Sequence, residues 1–546
     1  MTSDTLISTT RRNLFKLGAL SAGALAMPLV AAAYGKGFTH GVASGEPGPN
    51  GALLWTRFVA EQAEALHYEV AADAAFAQVA ASGTAQVSAE RDWCAKAMAQ
   101  GLSPNRWYYY RFIAEDGSIS DVGRTRTLPE GPTAKFRIAV VGCSNKGFGY
   151  FNAYRHIAEA DAFDLVVHSG DYFYEYAAGT YPSDQVKVEG RLILPDHEIL
   201  QLADYRMRYA SYRADPDLRR LHQLFPMVLG WDDHETANDS WRDGAQNHTA
   251  ETEGEWEVRK AAAMRAYREW MPVSDEPWAE YEIGDLATMF RLETRLLGRD
   301  RPPDLGAVLR GKTNAGEALG ALVAFRDGDW RDPSRQMLGE TQEAWLAAGL
   351  KRSTRAGKKW QILAQQVIMG NLNASPTLLD GMTDETPAFI RQRIMAAAAA
   401  SSVGLPLNMD AWDGYPAARE RLLAASLEAD ANLVVFSGDS HNGWAFDLAH
   451  DDTPVGVEFA GHSVTSPGAE GTLPWIKPDD LAAQSVANNA QLAWADTEHR
   501  GYMAVELTPE HAISEWRFMD TVRQRSAQLA GSHRMVARHG ERKFSA

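Results

Sequence analysis

An α/β domain behind a small all-β module is the architecture this sequence predicts, on three observations. From residue 38 to 127, alternating runs such as Ala52–Thr56, Ala65–Val70 and Arg106–Ile113 are separated by turn clusters, for instance Glu115-Asp116-Gly117. Beyond Leu128-Pro129-Glu130-Gly131-Pro132, short continuous apolar runs alternate with helical stretches, the pattern of a layered α/β domain. Five of those runs stop at residues that can hold a metal, and open α/β sheets gather ligands beyond the carboxyl ends of their strands.

Residues 1–33 read as an export signal. Arg11-Arg12-Asn13-Leu14-Phe15-Lys16 precedes an uncharged stretch, Leu17–Val30, and Ala31-Ala32-Ala33 offers a small-residue cleavage site. The paired arginines point to the twin-arginine export machinery, although Leu14-Phe15 reverses the usual order after the pair. Gly18, Ser21, Gly23 and Pro28 make the stretch a poor membrane span. The mature chain is thus expected to be periplasmic or secreted, with no transmembrane anchor.

Residues 34–131 form the all-β module, an immunoglobulin- or fibronectin-like β-sandwich by its turn spacing. Residues 132–520 form the α/β domain, with helices expected over Phe151–Glu159, Leu200–Tyr212, Glu255–Trp270, Gln342–Leu350 and Ala417–Leu427. Gly501–Leu507 and Ala512–Phe518 read as two closing strands. Residues 521–546 are a basic tail, with six Lys or Arg side chains including Arg523 and Arg525 against Glu541, expected as a solvated terminus.

The net charge of −17 across 546 residues argues against a stable nucleic-acid partner, because phosphates need a basic face. It leaves room for a phosphorylated substrate, since bound cations reverse the sign locally. Only two cysteines occur, Cys94 and Cys143. Cys94 reads as a small buried hydrophobe, and Cys143, at a strand end, as a ligand rather than a disulfide partner.

The five strand ends carry the chemistry. Phe136–Val141 runs into Cys143. Leu165–His168 leads to Asp171 and Tyr174, and Met227–Trp231 to Asp232, Asp233 and His234. Ile362–Ala364 leads to Gln366, and Leu433–Phe436 to Asp439 and His441. Asp171 after Gly170 can expose both carboxylate oxygens, and Tyr174 can bring a phenolate alongside. Thiolate and phenolate together suit Fe(3+) better than Mg or Zn. Taken one at a time, these residues read equally as a turn former, a packed aromatic and a helix cap beside a satisfied His.

The combined motifs resemble the alkaline phosphatase D (PhoD-type) family within the metallophosphoesterase and purple acid phosphatase-like group. They are Gly41–Pro47 with Leu54-Trp55-Thr56-Arg57, Gly170–Glu175, Trp231–Glu235, Trp412–Tyr415, Ser437–His441 and Thr465–Gly468. The resemblance implies a four-layer α/β/β/α sandwich. It also implies Fe(3+) held by Cys143, Asp171, Tyr174 and His441, and a second metal, Ca(2+), held by Asp171, Asp233 and Asp439. Gln366 or Asn238 would be additional contacts, and His234 the catalytic group on the substrate phosphate. His462 before the Ser-Pro-Gly motif departs from the family pattern, as does the length of the tail.

The implied activity is hydrolysis of phosphomonoesters by a metal-bound hydroxide, on small-molecule, lipid or nucleotide-type substrates. Phosphodiesterase or phospholipase D-like hydrolysis is the alternative. A non-catalytic exported protein that binds phosphate or metal is the reading from another class.

Overall fold

The computed structural model describes residues 35–383, 386 and 388–545, so the export signal lies outside the described residues. Two large sheets lie face to face. The first has nine strands in the order Leu529–Arg538, His511–Met519, Gly501–Leu507, Phe136–Val141, Leu165–His168, Pro226–Leu229, Gly37–Gly48, Gly51–Val59 and Cys94–Gln100. The second has seven, with Ala287–Arg291, Trp360–Ala364, Leu433–Ser437 and Thr453–Ala460 running parallel through its middle. Phe136–Val141, Leu165–His168 and Pro226–Leu229 are likewise parallel in the first sheet. Parallel strands share one carboxyl edge, which brings the five strand ends together.

The apolar runs are continuous because these strands are buried on both faces. Period-two alternation divides each strand between two cores. Ile138, Val140, Leu165, Val167 and Val228 face Ile362, Ala364, Val434 and Phe436 between the sheets. Ala139, Val141, Val166, Met227 and Leu229 turn outward beneath Tyr154, Tyr205, Tyr209 and Leu218. On the far side Leu363, Leu433 and Val435 pack under Leu346, Leu350, Leu422 and Leu423. The covering helices are Asn152–Ala160, Leu202–Arg213, Trp256–Trp270, Glu340–Arg355 and Pro416–Glu428, each overlapping an expected helix. Pro216–Leu224, Ala315–Asp327 and Ala388–Ser402 are additional.

The N-terminal strands do not make a free-standing sheet pair. Gly37–Gly48 pairs in parallel with Pro226–Leu229, so three N-terminal strands extend the nine-stranded sheet. A four-stranded sheet, Val79–Val87, Glu64–Ala71, Trp107–Ile113 and Gly123–Arg126, covers them. Val42, Leu54 and Phe58 fill the space against Leu66, Val70, Tyr110 and Phe112. The junction requires glycine at position 45, where a Cβ would lie 2.2 Å from the carbonyl oxygen of Pro272. Cys94 and Cys143 are both free and buried.

The expectation of a solvated tail is overturned. Leu529–Arg538 pairs antiparallel with His511–Met519 along its whole length. The Phe544 amide donates to Asp447 in the second sheet at 2.7 Å, and its ring enters the core between the sheets. Arg525 pairs with Asp217 at 2.6 Å. Basic side chains suit a solvated terminus and an edge strand equally, because an edge strand tolerates, and is protected by, charge. Phe544→Ala is expected to cost about 3 kcal/mol, the scale of a buried Phe truncation, read as a lower urea midpoint with unchanged slope.

Candidate metal and phosphate site

Four of the predicted ligands adopt a backbone conformation that L residues avoid. Cys143, Asp171, Asp439 and His441 have φ of 58°, 52°, 60° and 63°. Such residues persist only where their surroundings fix them, and they cluster at functional sites. Here the loops lace together: Cys143 N donates to Gly170 O at 3.0 Å, Ser144 N to Asp171 O at 2.8 Å, and Gly438 N to Gln366 O at 2.7 Å.

On one side of the site, the ligand atoms of Cys143, Asp171 and His441 lie within 4.8 Å of one another. Tyr174 joins them, its hydroxyl 3.1 Å from Asp171 Oδ2 and 2.9 Å from His441 Nε2. His441 Nδ1 is 2.8 Å from the carbonyl of Pro467, which fixes Nδ1 as the protonated nitrogen and turns the Nε2 lone pair toward the cluster. Burial lowers the His441 pKa to about 3, so the imidazole is neutral. Burial, then the neighbouring Asp171, pushes both the Cys143 thiol and the Tyr174 phenol well above their ordinary values. Ser466 Oγ donates to the Tyr174 oxygen at 2.7 Å, so the Ser-Pro-Gly motif supports this side.

On the other side, Asp171 groups with Asp233 and His234, and Asp233 with Asp232 and Asp439. The expected set of Asp171, Asp233 and Asp439 is thus spread over two clusters that share Asp233. Against the second cluster lies Arg295, fully buried, ion-paired to Asp232, Asp410 and Asp439, the last at 3.0 Å. No motif in the sequence marks Arg295. It follows Ala287–Arg291, a sixth strand end that Thr288 and Arg291 disguise by breaking the apolar run. Even with this cation present, burial lifts the Asp439 carboxyl to about 6 and Asp232 well above its ordinary range.

Two glutamates organise the loops. Glu235 accepts from the amides of Asp171 at 3.1 Å, Tyr172 at 2.7 Å and Asp232 at 2.8 Å, tying two strand ends to one carboxylate. Glu175 accepts from His234 Nδ1 at 2.6 Å and from the Asn238 amide at 2.8 Å. That leaves Nε2 of His234 for the cavity. Burial disfavours charge on His234, but Asp233, Glu175 and Asp171 outweigh it and raise its pKa well above the usual value.

These groups line a cavity of about 470 Å³ containing Asp171, Asp233, His234, Asp439 and His441, with Asn238 on its wall. Cys143 and Tyr174 lie behind it. Gln366 does not reach it: its amide accepts from Thr294 at 2.6 Å and donates to the Leu292 carbonyl at 3.1 Å. Asp413 of the Trp412–Tyr415 motif is also structural, binding Asn371, Leu372 N and Arg419. His462 pairs with Asp496 at 3.0 Å, away from the cavity lining.

A family model described as PhoD-like phosphatase matches residues 138–516, and one described as its N-terminal domain matches residues 24–129. Alkaline phosphatase D of Bacillus subtilis (strain 168) is 32% identical over 520 residues, covering 90% of this chain and 79% of that protein. A solved structure described as "Structure of PhoD" is similar with a TM-score of 0.75 at 29% identity, covering 93% of this chain and 92% of that one.

Glu235→Gln keeps shape but offers an N–H where the wild type accepts three amides. The expected cost is about 1–3 kcal/mol for the unsatisfied donors, measured by urea unfolding. An unchanged midpoint would remove Glu235 from its role as the tie between loops.

Proposed function

The chain belongs to the PhoD-like phosphatase family and is a phosphoester hydrolase; on that premise we propose that it is an exported, metal-dependent phosphatase using two adjacent cation sites. The observation that carries the proposal is Asp171 Oδ1, a fully buried carboxylate oxygen with no hydrogen-bond partner, beside a thiol, a phenol and a neutral imidazole. Asp232 Oδ2 is orphaned in the same way. Buried carboxylate oxygens in that state call for a cation.

The donors divide by softness. Cys143, Tyr174, His441 and Asp171 would hold Fe(3+), and the all-oxygen set of Asp171, Asp233 and Asp439 would hold a hard cation such as Ca(2+). When bound, the metals would neutralise phosphoryl charge and lower the pKa of the attacking water.

The protein's own groups do the rest. His234, fixed by Glu175 and positively charged, donates from Nε2 to a phosphoryl oxygen or to the leaving oxygen. Hydrolysis consumes one water: its oxygen bonds phosphorus, the bond to the leaving oxygen breaks, and a proton ends on that oxygen. Arg295 favours the ionised forms of Asp232 and Asp439. The cavity volume exceeds what one phosphoryl group occupies, which favours diesters as a second substrate class.

In the same reading the α/β region is a four-layer metallophosphoesterase sandwich behind an N-terminal β-sandwich module, with export by the twin-arginine route. Among the described residues, no helix is long and apolar enough to cross a membrane.

Asp171→Ala is expected to abolish phosphate release from a chromogenic phosphomonoester with the circular dichroism spectrum retained. His234→Ala should lower kcat about 10²- to 10³-fold, the scale of one lost transition-state donor. Full activity in the Asp171 variant would refute the proposal.

Metal loading gives a second test. Cys143 and Tyr174 are both raised, so both are protonated at pH 8 without metal and must ionise to bind it. Adding Fe(3+) to chelator-stripped protein should release protons to an indicator dye. Affinity should climb with pH, by up to about tenfold per unit for each proton released. Cys143→Ser should release fewer protons and lose the thiolate contribution to the visible absorption band.

A further inference from the structure

We propose that Arg393 sets substrate preference by receiving a second anionic group carried on the leaving-group side of the phosphoester; this rests on the phosphoester-hydrolase reading of the cavity. Arg393 projects from the helix Ala388–Ser402, which packs chiefly on Pro376–Leu379, Leu305–Leu309 and Ala315–Asp327. It lines the same cavity as Asp171 and His234, and it is exposed where they are buried, which places it at the outer wall.

Its charge environment is unusual for this cavity. Asp171, Asp233, Asp239, Asp410 and Asp439 make the lining strongly acidic, and Arg393 is its one Arg or Lys among the described residues. The other arginines near the site are committed: Arg295 to Asp232, Asp410 and Asp439, and Arg299 to Asp410. Arg393 forms no ion pair with a described carboxylate, although Asp239 and Asp410 share its cavity. Among the described residues, then, nothing competes with a ligand for its N–H donors.

The rest of the outer wall fits the body of a leaving group. Tyr176 and Tyr181 meet edge to face with ring centroids 5.8 Å apart and present aromatic surface, with Asn408 beside them. At about 470 Å³ the cavity falls in the range that buries small organic ligands, beyond the need of inorganic phosphate. A substrate whose phosphoryl group occupies the acidic end would lay its carbon skeleton along the tyrosines. A phosphate, phosphonate or carboxylate at its far end would meet the guanidinium in a charge-assisted, bidentate contact.

Three substrates of one skeleton test this: phenyl phosphate, its 4-carboxyethyl derivative, and its 4-phosphonomethyl derivative, whose second anion cannot be hydrolysed. The wild type should favour the doubly anionic pair over phenyl phosphate in kcat/KM by on the order of tenfold, the scale of one charge-assisted hydrogen bond. The advantage should reside in KM and shrink as ionic strength rises. Comparing the two derivatives decides whether the second anion is a carboxylate or a phosphate-type group.

Arg393→Gln should bring the ratio near unity, and Arg393→Glu should invert it. An unchanged ratio in both variants, at an unchanged thermal midpoint, would overturn the proposal while leaving the hydrolase reading intact. Failure of the wild type to hydrolyse any of the three would instead overturn the hydrolase reading, and the proposal with it.

Discussion

The structure depends on a concentration of negative charge that folding alone does not neutralise. Asp171, Asp232, Asp233, Asp239, Asp410 and Asp439 converge where two parallel-stranded sheets share a carboxyl edge. Arg295 is the central counter-charge the chain supplies, with Arg299 on Asp410 and the charged His234 beside Asp233. Its guanidinium has one nitrogen each for Asp232, Asp410 and Asp439, and a planar fork is suited to that bridging where a Lys ammonium is not. Yet Asp439 and Asp232 still have raised pKa values. Two buried arginines and one imidazolium against six carboxylates leave the cluster short of positive charge, and bound cations would supply the remainder. The site is thus preorganised and costly at once, which is the usual relation between function and stability.

Around that cluster the protein controls position through backbone amides. Glu235 uses both carboxylate oxygens to hold the ends of Leu165–His168 and Pro226–Leu229 at fixed separation. Glu458, in the second sheet, does the same for the chain after Trp360–Ala364, accepting from Met369 N at 2.8 Å and Gly370 N at 2.7 Å. Neither side chain faces the cavity, and both are buried. Left-handed backbone at Cys143, Asp171, Asp439 and His441 costs roughly 1–2 kcal/mol per residue. Glu235 offsets that cost at Asp171, whose amide it accepts together with those of Tyr172 and Asp232.

The parts of this arrangement legible in the sequence were those that strand burial writes directly. Apolar runs sufficed in Phe136–Val141, Leu165–His168 and Leu433–Ser437, whose ends carry Cys143, Asp171 and Asp439. Arg295 stayed hidden because Thr288 interrupts its strand and because an arginine reads as surface unless its partners are known. Gln366 follows an equally apolar strand, yet its amide is spent on Thr294 and Leu292. A strand end marks a place at the shared edge, and only the rotamer decides which side chain turns into the cavity. The tail failed for a different reason: the pairing of Leu529–Arg538 is made by backbone groups, and its side chains carry little apolar signal.

The continuity of the first sheet gives the N-terminal strands a mechanical link to the site. Ser44 and Gly45 pair with Pro226 and Met227, the start of the strand that leads to Asp232 and Asp233. On the helix above, Glu269 binds Arg206 at 2.7 Å, its carbonyl accepts from Trp55 at 2.8 Å, and Trp270 donates to Asp92 at 3.1 Å. Trp55 and Asp92 belong to the N-terminal segment, Arg206 and Trp270 to the helices covering the catalytic strands. A module joined only by a linker could rotate. One joined by a shared sheet and buried polar bonds cannot do so without breaking them, so the N-terminal segment acts as a wall of the scaffold that fixes Asp233.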